Sequence, residues 1–331
     1  MMAMEIIELD IRDTEQLRVF WEVEQAAHRY DRARPLLRTF ASVASTYADP
    51  TPHYRREPLA AVVDDRVVGI ADLGFSVGDN EHLADLEICV HPDHRRRGVG
   101  QALHAEATRR RRAAGRTSDT GEVYSPVDGP DSAGLAFARA LDYADVHGEH
   151  HLVMDLPVDE EHVAALAATG HPDHEIVTWV NRCPDDLIDA YVEMRNRMNS
   201  DVPTGELDRT PPTLDSDRIR LSEERLSRSY DSVVAAARRT SDGTFGGYSL
   251  IFVPHGTGEV LQDDTLVMPD HRGQRLGIAL KLATLEIARR DHADRSSLHT
   301  WTAPDNHAMY GTNQRFGYRA VEVMHEMQRT D

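Results

Sequence analysis

Two stretches decide the reading of this chain: "VHPDHRRRGVGQAL", Val90 to Leu103, and "VMPDHRGQRLGIAL", Val267 to Leu280. They align without a gap, pairing Val90 with Val267, Pro92 with Pro269, Arg95 with Arg272, Gly100 with Gly277 and Leu103 with Leu280. A second landmark, "FARALDY" ending at Tyr143 and "NQRFGY" ending at Tyr318, recurs at nearly the same spacing. Matched landmarks at a near-constant separation of about half the chain imply a duplicated domain. The length of 331 residues fits two domains of ordinary size.

Reading outward, each half has the same order of elements. In the first, "EIIELDI" reads as a strand and "DTEQLRVFWEVEQAAH" as a helix opened by Asp13 or Thr14. A second helix is expected over "ARPLLRTFASVASTY". Next come "LAAVV" and "RVVGIADLGF" as a hairpin around an Asp-Asp turn, and "HLADLEICV" as an alternating strand. "GQALHAEATRRRRAAG" reads as a helix whose arginine-rich end complements its dipole. "GEVYS", "SAGLAFARAL" and "HHLVMDL" follow as strand, helix and strand. The second half repeats the order from "EIVTWV" to the helix "NHAMYGTNQRF". The expected division is a domain over 1–156, a linker over 157–172 with its boundary near Pro172, and a domain over 173–331.

Composition narrows the function. The formal net charge of −19 argues against sequence-independent nucleic-acid binding, which needs a basic footprint, and is compatible with a cationic substrate. No run approaches the ~18 apolar residues of a membrane span, and the acidic N-terminus has no signal-peptide h-region. A cytoplasmic protein is therefore expected, as monomer or homodimer. Cys89 and Cys183, the two cysteines, suffice neither for a disulfide framework nor for a four-ligand zinc site, so no metal is expected.

In each half a strand runs into an Arg/Gly-rich turn that opens a helix. Glycine lets a phosphate approach the main chain, and a helix N-terminus presents unpaired N–H donors with a partial positive charge. The combination makes an anion site suited to a pyrophosphate, and loop arginines add charge-assisted bonds. The strand before the turn offers main-chain groups that an amide-bearing ligand can pair with.

These residues resemble the GNAT superfamily of acetyltransferases, whose turn after a strand ending Val-x-Pro reads Gln/Arg-x-x-Gly-x-Gly/Ala. Arg95, Gly98 and Gly100 match it; the second copy has Arg272 and Gly277, with Arg275 in place of the first glycine. A shifted reading on Gln274, Gly277 and Ala279 also fits but breaks the gapless alignment. Such turns also open helices in doubly wound nucleotide-binding folds; the preceding strand, the following helix and the repetition set these two apart. The tandem layout is similar to that of the mycothiol synthases. The resemblance implies an α/β fold of two tandem domains, each a mixed, mostly antiparallel twisted sheet flanked by helices. It implies acetyl-CoA as co-substrate, held by Val90, Arg95, Arg96, Arg97, Gly98, Val99 and Gly100 in one copy. In the other, Val267, Arg272, Gly273, Gln274, Arg275, Leu276 and Gly277 would hold it, with Asn306 at the next helix.

It also implies acetyl transfer to the primary amine of a small molecule. The family's acidic Tyr, seven residues after the Asn, is replaced by Asn313 in the second copy and Ala138 in the first, where Asp131 aligns with Asn306. Tyr310, one helical turn before Asn313, is the candidate substitute. Candidate bases on the strand before the turn are Glu87 and Asp85, and Asp264 and Asp263, with alternation expected to leave one of each pair facing the cleft. In "MRNRMNSDVPTGELD", Asp201, Glu206 and Asp208 are expected to hold a cationic amine, whereas the matching "HRYDRARPLLRTF" is basic. These differences favour the second copy as the main site. The alternative reading, drawn from the missing Tyr, is a catalytically inactive acyl-CoA-binding sensor or scaffold.

Overall fold

The computed structural model describes residues 4–48, 51–167, 173–202 and 205–331, so Pro172 lies outside the described residues. In chain order the first half comprises β1 (Met4–Glu8), α1 (Thr14–Asp31), α2 (Phe40–Ala48), β2 (Tyr54–Val63), β3 (Arg66–Ser76), β4 (Leu83–Val90), α3 (Val99–Ala113), β5 (Ser118–Pro126), α4 (Ala133–Ala140) and β6 (Ala144–Asp155). After α5 (Glu160–Ala167) come β7 (His174–Val180), α6 (Ile188–Asp201), α7 (Ser216–Leu226), β8 (Tyr230–Arg239), β9 (Phe245–Pro254), β10 (Glu259–Val267), α8 (Leu276–Asp291), β11 (Ser297–Thr302), α9 (His307–Phe316) and β12 (Arg319–Thr330).

The chain forms two compact units. The first comprises Met1–His150, Thr204–Thr210 and Val321–Asp331; the second comprises His151–Pro203 and Pro211–Ala320. A piece of the second half and the end of the chain thus belong with the first unit.

In the first unit the strands run β1-β2-β3-β4-β5-β12, antiparallel throughout except for the parallel pair β4 and β5. Strand β12 was not anticipated from the sequence. It pairs with β5 from Glu322 opposite Pro126 to Thr330 opposite Ser118. Its end is pinned by Arg111, which is fully buried and lies 2.7 Å from both Asp119 and Asp331. Helix α3 covers one face of the sheet, where Leu103 packs with Leu59, Leu73 and Phe75. Helices α1 and α2 cover the other, where Phe20 and Tyr47 meet Ile70 and Cys89. Asp13 is the cap of α1, accepting from the N–H groups of Glu15 and Gln16. The Asp64-Asp65 turn has both residues at positive φ (50° and 60°), the geometry that matches strand twist in a tight hairpin. Helix α2 starts at Phe40, later than expected. Pro35 disfavours helix at Arg34, and the Arg38 carbonyl accepts from Trp21 Nε1 at 2.8 Å and Gln25 Nε2 at 3.1 Å, holding the approach as a strap.

In the second unit the order is β11-β10-β9-β8-β7, with β10 and β11 parallel and the other pairs antiparallel. Helix α8 lays Ile278, Leu282 and Leu285 on Val233, Ile251, Val260 and Leu298. Helices α6 and α7 lay Tyr191, Met194 and Ile219 on Val234, Tyr248 and Leu250 of the opposite face. Both units are therefore three-layer α/β structures. Among the described residues no helix is long and apolar enough to cross a membrane.

Candidate functional site

The two turns share one backbone path. Arg96 and Gly98 have positive φ (59° and 83°), and so do Gly273 and Arg275 (81° and 59°), at the aligned positions. Each copy thus uses glycine at one left-handed position and arginine at the other, as the gapless alignment requires. Gly98 and Arg275 are the left-handed N-caps of α3 and α8. Side-chain oxygens close the N-termini of α1, α4, α7 and α9, but α3 and α8, and α6 with them, have no such cap. The first N–H groups of α3 and α8 are therefore not occupied by a side-chain cap, as an anion site needs.

Not every turn residue faces that site. Arg95 Nε donates to the Val90 carbonyl at 3.2 Å and its Nη1 lies 2.7 Å from Asp31. Arg272 repeats this, with 3.1 Å to the Val267 carbonyl and 3.1 Å to Asp201. Both guanidinium groups tie the turn to its own strand and to the end of a helix, so their place is that of a buttress. Arg96, Arg97, Gln274 and Arg275 are exposed. Val99 and Leu276 are buried under their helices. At Gly277 a Cβ would meet nothing nearer than Val267 Cγ2 at 3.8 Å, whereas at Gly100 it would press on Phe137 at 3.2 Å.

The strands before the turns split from their parallel neighbours. Pairing of β4 with β5 covers Leu83–Asp85, and that of β10 with β11 covers Glu259–Leu261. Beyond Leu261, β10 presents main chain toward the gap. Here the copies differ. The β3–β4 register runs unbroken from Gly69 opposite Val90 to Phe75 opposite Ala84. The β9–β10 register shifts between Gln262, opposite Ile251, and Thr265, opposite Ser249, so Asp263 and Asp264 form a bulge. Buried Gln262 staples it, donating from Nε2 to the Leu250 carbonyl at 2.9 Å and to the Asp264 carbonyl at 3.2 Å.

The bulge brings both carboxylates close enough to Tyr191 to raise its hydroxyl's pKa, although burial is the larger cause. Asp264 is committed: Tyr248 Oη donates to it at 2.5 Å and Arg195 Nε lies 3.4 Å away. Asp263 reaches solvent, yet the protein crowded around it, with the charge of Asp264 beside it, pushes its carboxyl up to about 7. Of the two, Asp263 has the properties of a base. In the first unit Asp85 and Glu87 stand two residues apart and share a face, which corrects the expectation of one per pair. Tyr54 Oη donates to Asp85 at 2.8 Å, and Arg209 pairs with it. Burial works against the charge on Glu87, but the hydrogen bond from His28 at 3.0 Å and the nearby Arg38 and Arg56 outweigh it and hold it at about 2. That makes Glu87 a fixed anion.

Other expected residues fall as follows. Asn306 caps α9, accepting from the Met309 N–H at 3.2 Å. Its counterpart as cap of α4 is Ser132, not Asp131, which pairs with Arg139. Asn313 is fully buried and donates to Thr302 Oγ1 at 3.0 Å. Tyr310 packs against the core under α8. The acidic segment expected to hold an amine for the second copy is divided. Asp201 pairs with Arg197 at 2.8 Å and Arg272. Thr204–Thr210 belongs with the first unit, where Asp208 lies 3.2 Å from His82 and Thr210 exchanges hydrogen bonds with Asn80. The matching first-half segment is not a free basic face either: Arg32 pairs with Glu322 at 2.9 Å, stacked on Tyr124, and Arg38 pairs with Glu24. Sequence reading missed Gln262, Tyr248, Arg195 and His28, whose roles depend on neighbours distant in the chain.

Residues 55–133 match the family model described as "Acetyltransferase (GNAT) domain". No curated protein matches the sequence significantly. Among solved structures, the chain is similar to a tandem GNAT protein from the clavulanic acid biosynthesis pathway, with TM-score 0.84 and 24% identity over 99% of this chain and 98% of that one. A GCN5-related N-acetyltransferase from Sphaerobacter thermophilus follows at 0.67 and 14%, over 99% and 95%. The N-myristoyltransferase of Saccharomyces cerevisiae aligns at 0.61 and 13%, over 99% and 80%. The chain as a whole thus has the fold of tandem GNAT proteins, and its residues 55–133 match the GNAT acetyltransferase domain model.

Proposed function

We propose that the protein is an acyltransferase that uses acetyl-CoA to acetylate a primary amine of a small molecule, with its main site in the second unit. The observation that carries this is the bulge at Asp263–Asp264, placed where β10 leaves β11 and a few residues before the uncapped N-terminus of α8. Those features suit three parts of one ligand. The N–H groups at the start of α8 and the exposed Arg275 would take the pyrophosphate. The main chain of Gln262–Val267 would pair with the pantetheine amides. A bulge N–H would stabilise the oxyanion of the tetrahedral intermediate.

Acetyl-CoA would supply the activated thioester; the chain's own groups handle position and protons. Asp263 takes the proton that the attacking amine must lose. Tyr248 and Arg195 engage Asp264 beside it, so the two carboxyls of the bulge stand in different surroundings. With Asn313 bound to Thr302 at the family's Tyr position, proton return to the leaving thiolate falls to half-buried Tyr310 or to water. A thiol with a reference pKa of about 8.5 makes that a modest demand.

Titration calorimetry with acetyl-CoA, followed by thiol release from a panel of amines, tests the reading. Gly277→Glu combined with Asn306→Ala is expected to abolish turnover, and Gly98→Glu to leave most of it. The reverse pattern would move the site to the first unit. Acetyl-CoA binding with no turnover on any amine would favour the sensor reading, which the committed Asn313 side chain supports.

A further inference from the structure

On the face of β4 that carries α1, three side chains outside the proposed acetyl-transfer site converge. His28 Nε2 lies 3.0 Å from Glu87 Oε1, and Cys89 Sγ lies 3.9 Å from each of those two atoms. All three donor atoms fall within 4.8 Å of one another. Glu87 and Cys89 are brought together by strand alternation, two residues apart on β4, and His28 by the packing of α1 against that face.

We propose that His28, Glu87 and Cys89 form a zinc site in the first unit. Around a tetrahedral zinc with bonds of about 2.0–2.3 Å, nitrogen and oxygen donors stand roughly 3.3 Å apart, and sulfur stands roughly 3.6 Å from either. The observed triangle differs from that one by a few tenths of an ångström on each side, a shift that side-chain rotation covers. The donor set suits a borderline-soft divalent ion: one imidazole, one carboxylate and one thiolate. The charges suit it as well. Carboxylate and thiolate together balance a dication, and the arginines nearby already have partners, Arg38 on Glu24 and Arg56 on Asp72. On binding, the zinc–sulfur bond forms as the thiol proton leaves to solvent; the proton that His28 Nε2 donates to Glu87 moves to Nδ1 by exchange with solvent, and the freed Nε2 lone pair binds the metal.

Cys89 lies deep in the site, 5% exposed, while the side chains of His28 and Glu87 are 25% and 42% exposed. The ion therefore has protein on one side and an open fourth position toward solvent, the arrangement of zinc sites that bind water or a ligand group rather than purely structural ones. Nothing in this assignment depends on where acetyl transfer occurs.

The test uses the full chain, freed of metal by chelation and titrated with zinc chloride and, separately, with cobalt chloride. Expected are one zinc per chain and a near-ultraviolet thiolate-to-cobalt band that Cys89→Ser abolishes and Cys183→Ser retains. With 18 histidines in the chain, adventitious binding is the main competitor, and only a cysteine can give that band. His28→Ala is expected to weaken zinc binding at least tenfold, and it carries the test on its own if Cys89→Ser does not fold. Absence of the cobalt–thiolate band in the wild type, or zinc affinity unchanged in Cys89→Ser or His28→Ala, would overturn the proposal.

Discussion

Replacing Arg275 by glycine separates the two roles that its position combines. Arg275 holds φ 59° and ψ 21° as the N-cap of α8. An L-residue in the left-handed region costs about 1–2 kcal/mol. Glycine avoids that cost but loses about 0.5–1 kcal/mol more chain entropy on folding. The net expectation for Arg275→Gly is a gain of about 0.5–1 kcal/mol, or roughly 1–4 °C in Tm for a unit of this size. Arg275→Ala keeps the left-handed strain and removes the guanidinium, so its Tm should stay at the wild-type value. Ligand binding divides differently. If the guanidinium grips the pyrophosphate, both variants lose a charge-assisted bond of about 1.5–3 kcal/mol, weakening acetyl-CoA binding roughly 10- to 150-fold. Thermal unfolding with and without acetyl-CoA, combined with calorimetry, reads both effects. A glycine variant less stable than the alanine variant would refute the left-handed assignment. Undiminished affinity in both variants would refute the phosphate contact.

Three further outcomes follow from the same geometry. A base works in its ionised form, so a carboxyl raised to about 7 makes turnover climb with pH through about 7 and level off above it; Asp263→Asn should remove that limb from the pH–rate profile. Gly277→Ala should leave Tm unchanged or slightly higher, because the added methyl meets only Val267, while acetyl-CoA affinity measured by calorimetry falls. Arg111→Met leaves buried Asp119, whose side chain is 2% exposed, without its ion-pair partner and held only by the Tyr143 hydroxyl, and should cost about 3–5 kcal/mol in urea unfolding; pairing it with Asp119→Asn should recover part of that loss.

What the sequence made legible was local. The strand–turn–helix is written in a few consecutive residues, and its duplication is visible because both copies keep the residues around the turn, from Val90 and Val267 to Leu103 and Leu280. The α/β order of elements follows from periodicity for the same reason. What stayed hidden was non-local. Arg95 and Arg272 look like phosphate ligands until the acids at the ends of α1 and α6 appear beside them. The bulge depends on Gln262 reaching the neighbouring strand, which no spacing along the chain announces. Asp208 reads as a free charge in sequence, and only the fold brings His82 to it. Glu87 and Cys89 are two residues apart in plain view, but His28 joins them only once α1 is docked.

Strand β12 carries a consequence for the order of events in synthesis. The first unit lacks the antiparallel partner of β5, the Glu322 partner of Arg32 and the Asp331 partner of Arg111 until β12 and Asp331 arrive. A ribosome working at about 5–20 residues per second needs roughly ten to forty seconds to pass from the end of β6 to the end of β12. For that interval β5 is an unpaired edge, open to wrong partners. A truncation that removes Val321–Asp331 would therefore damage the unit whose other strands are translated first.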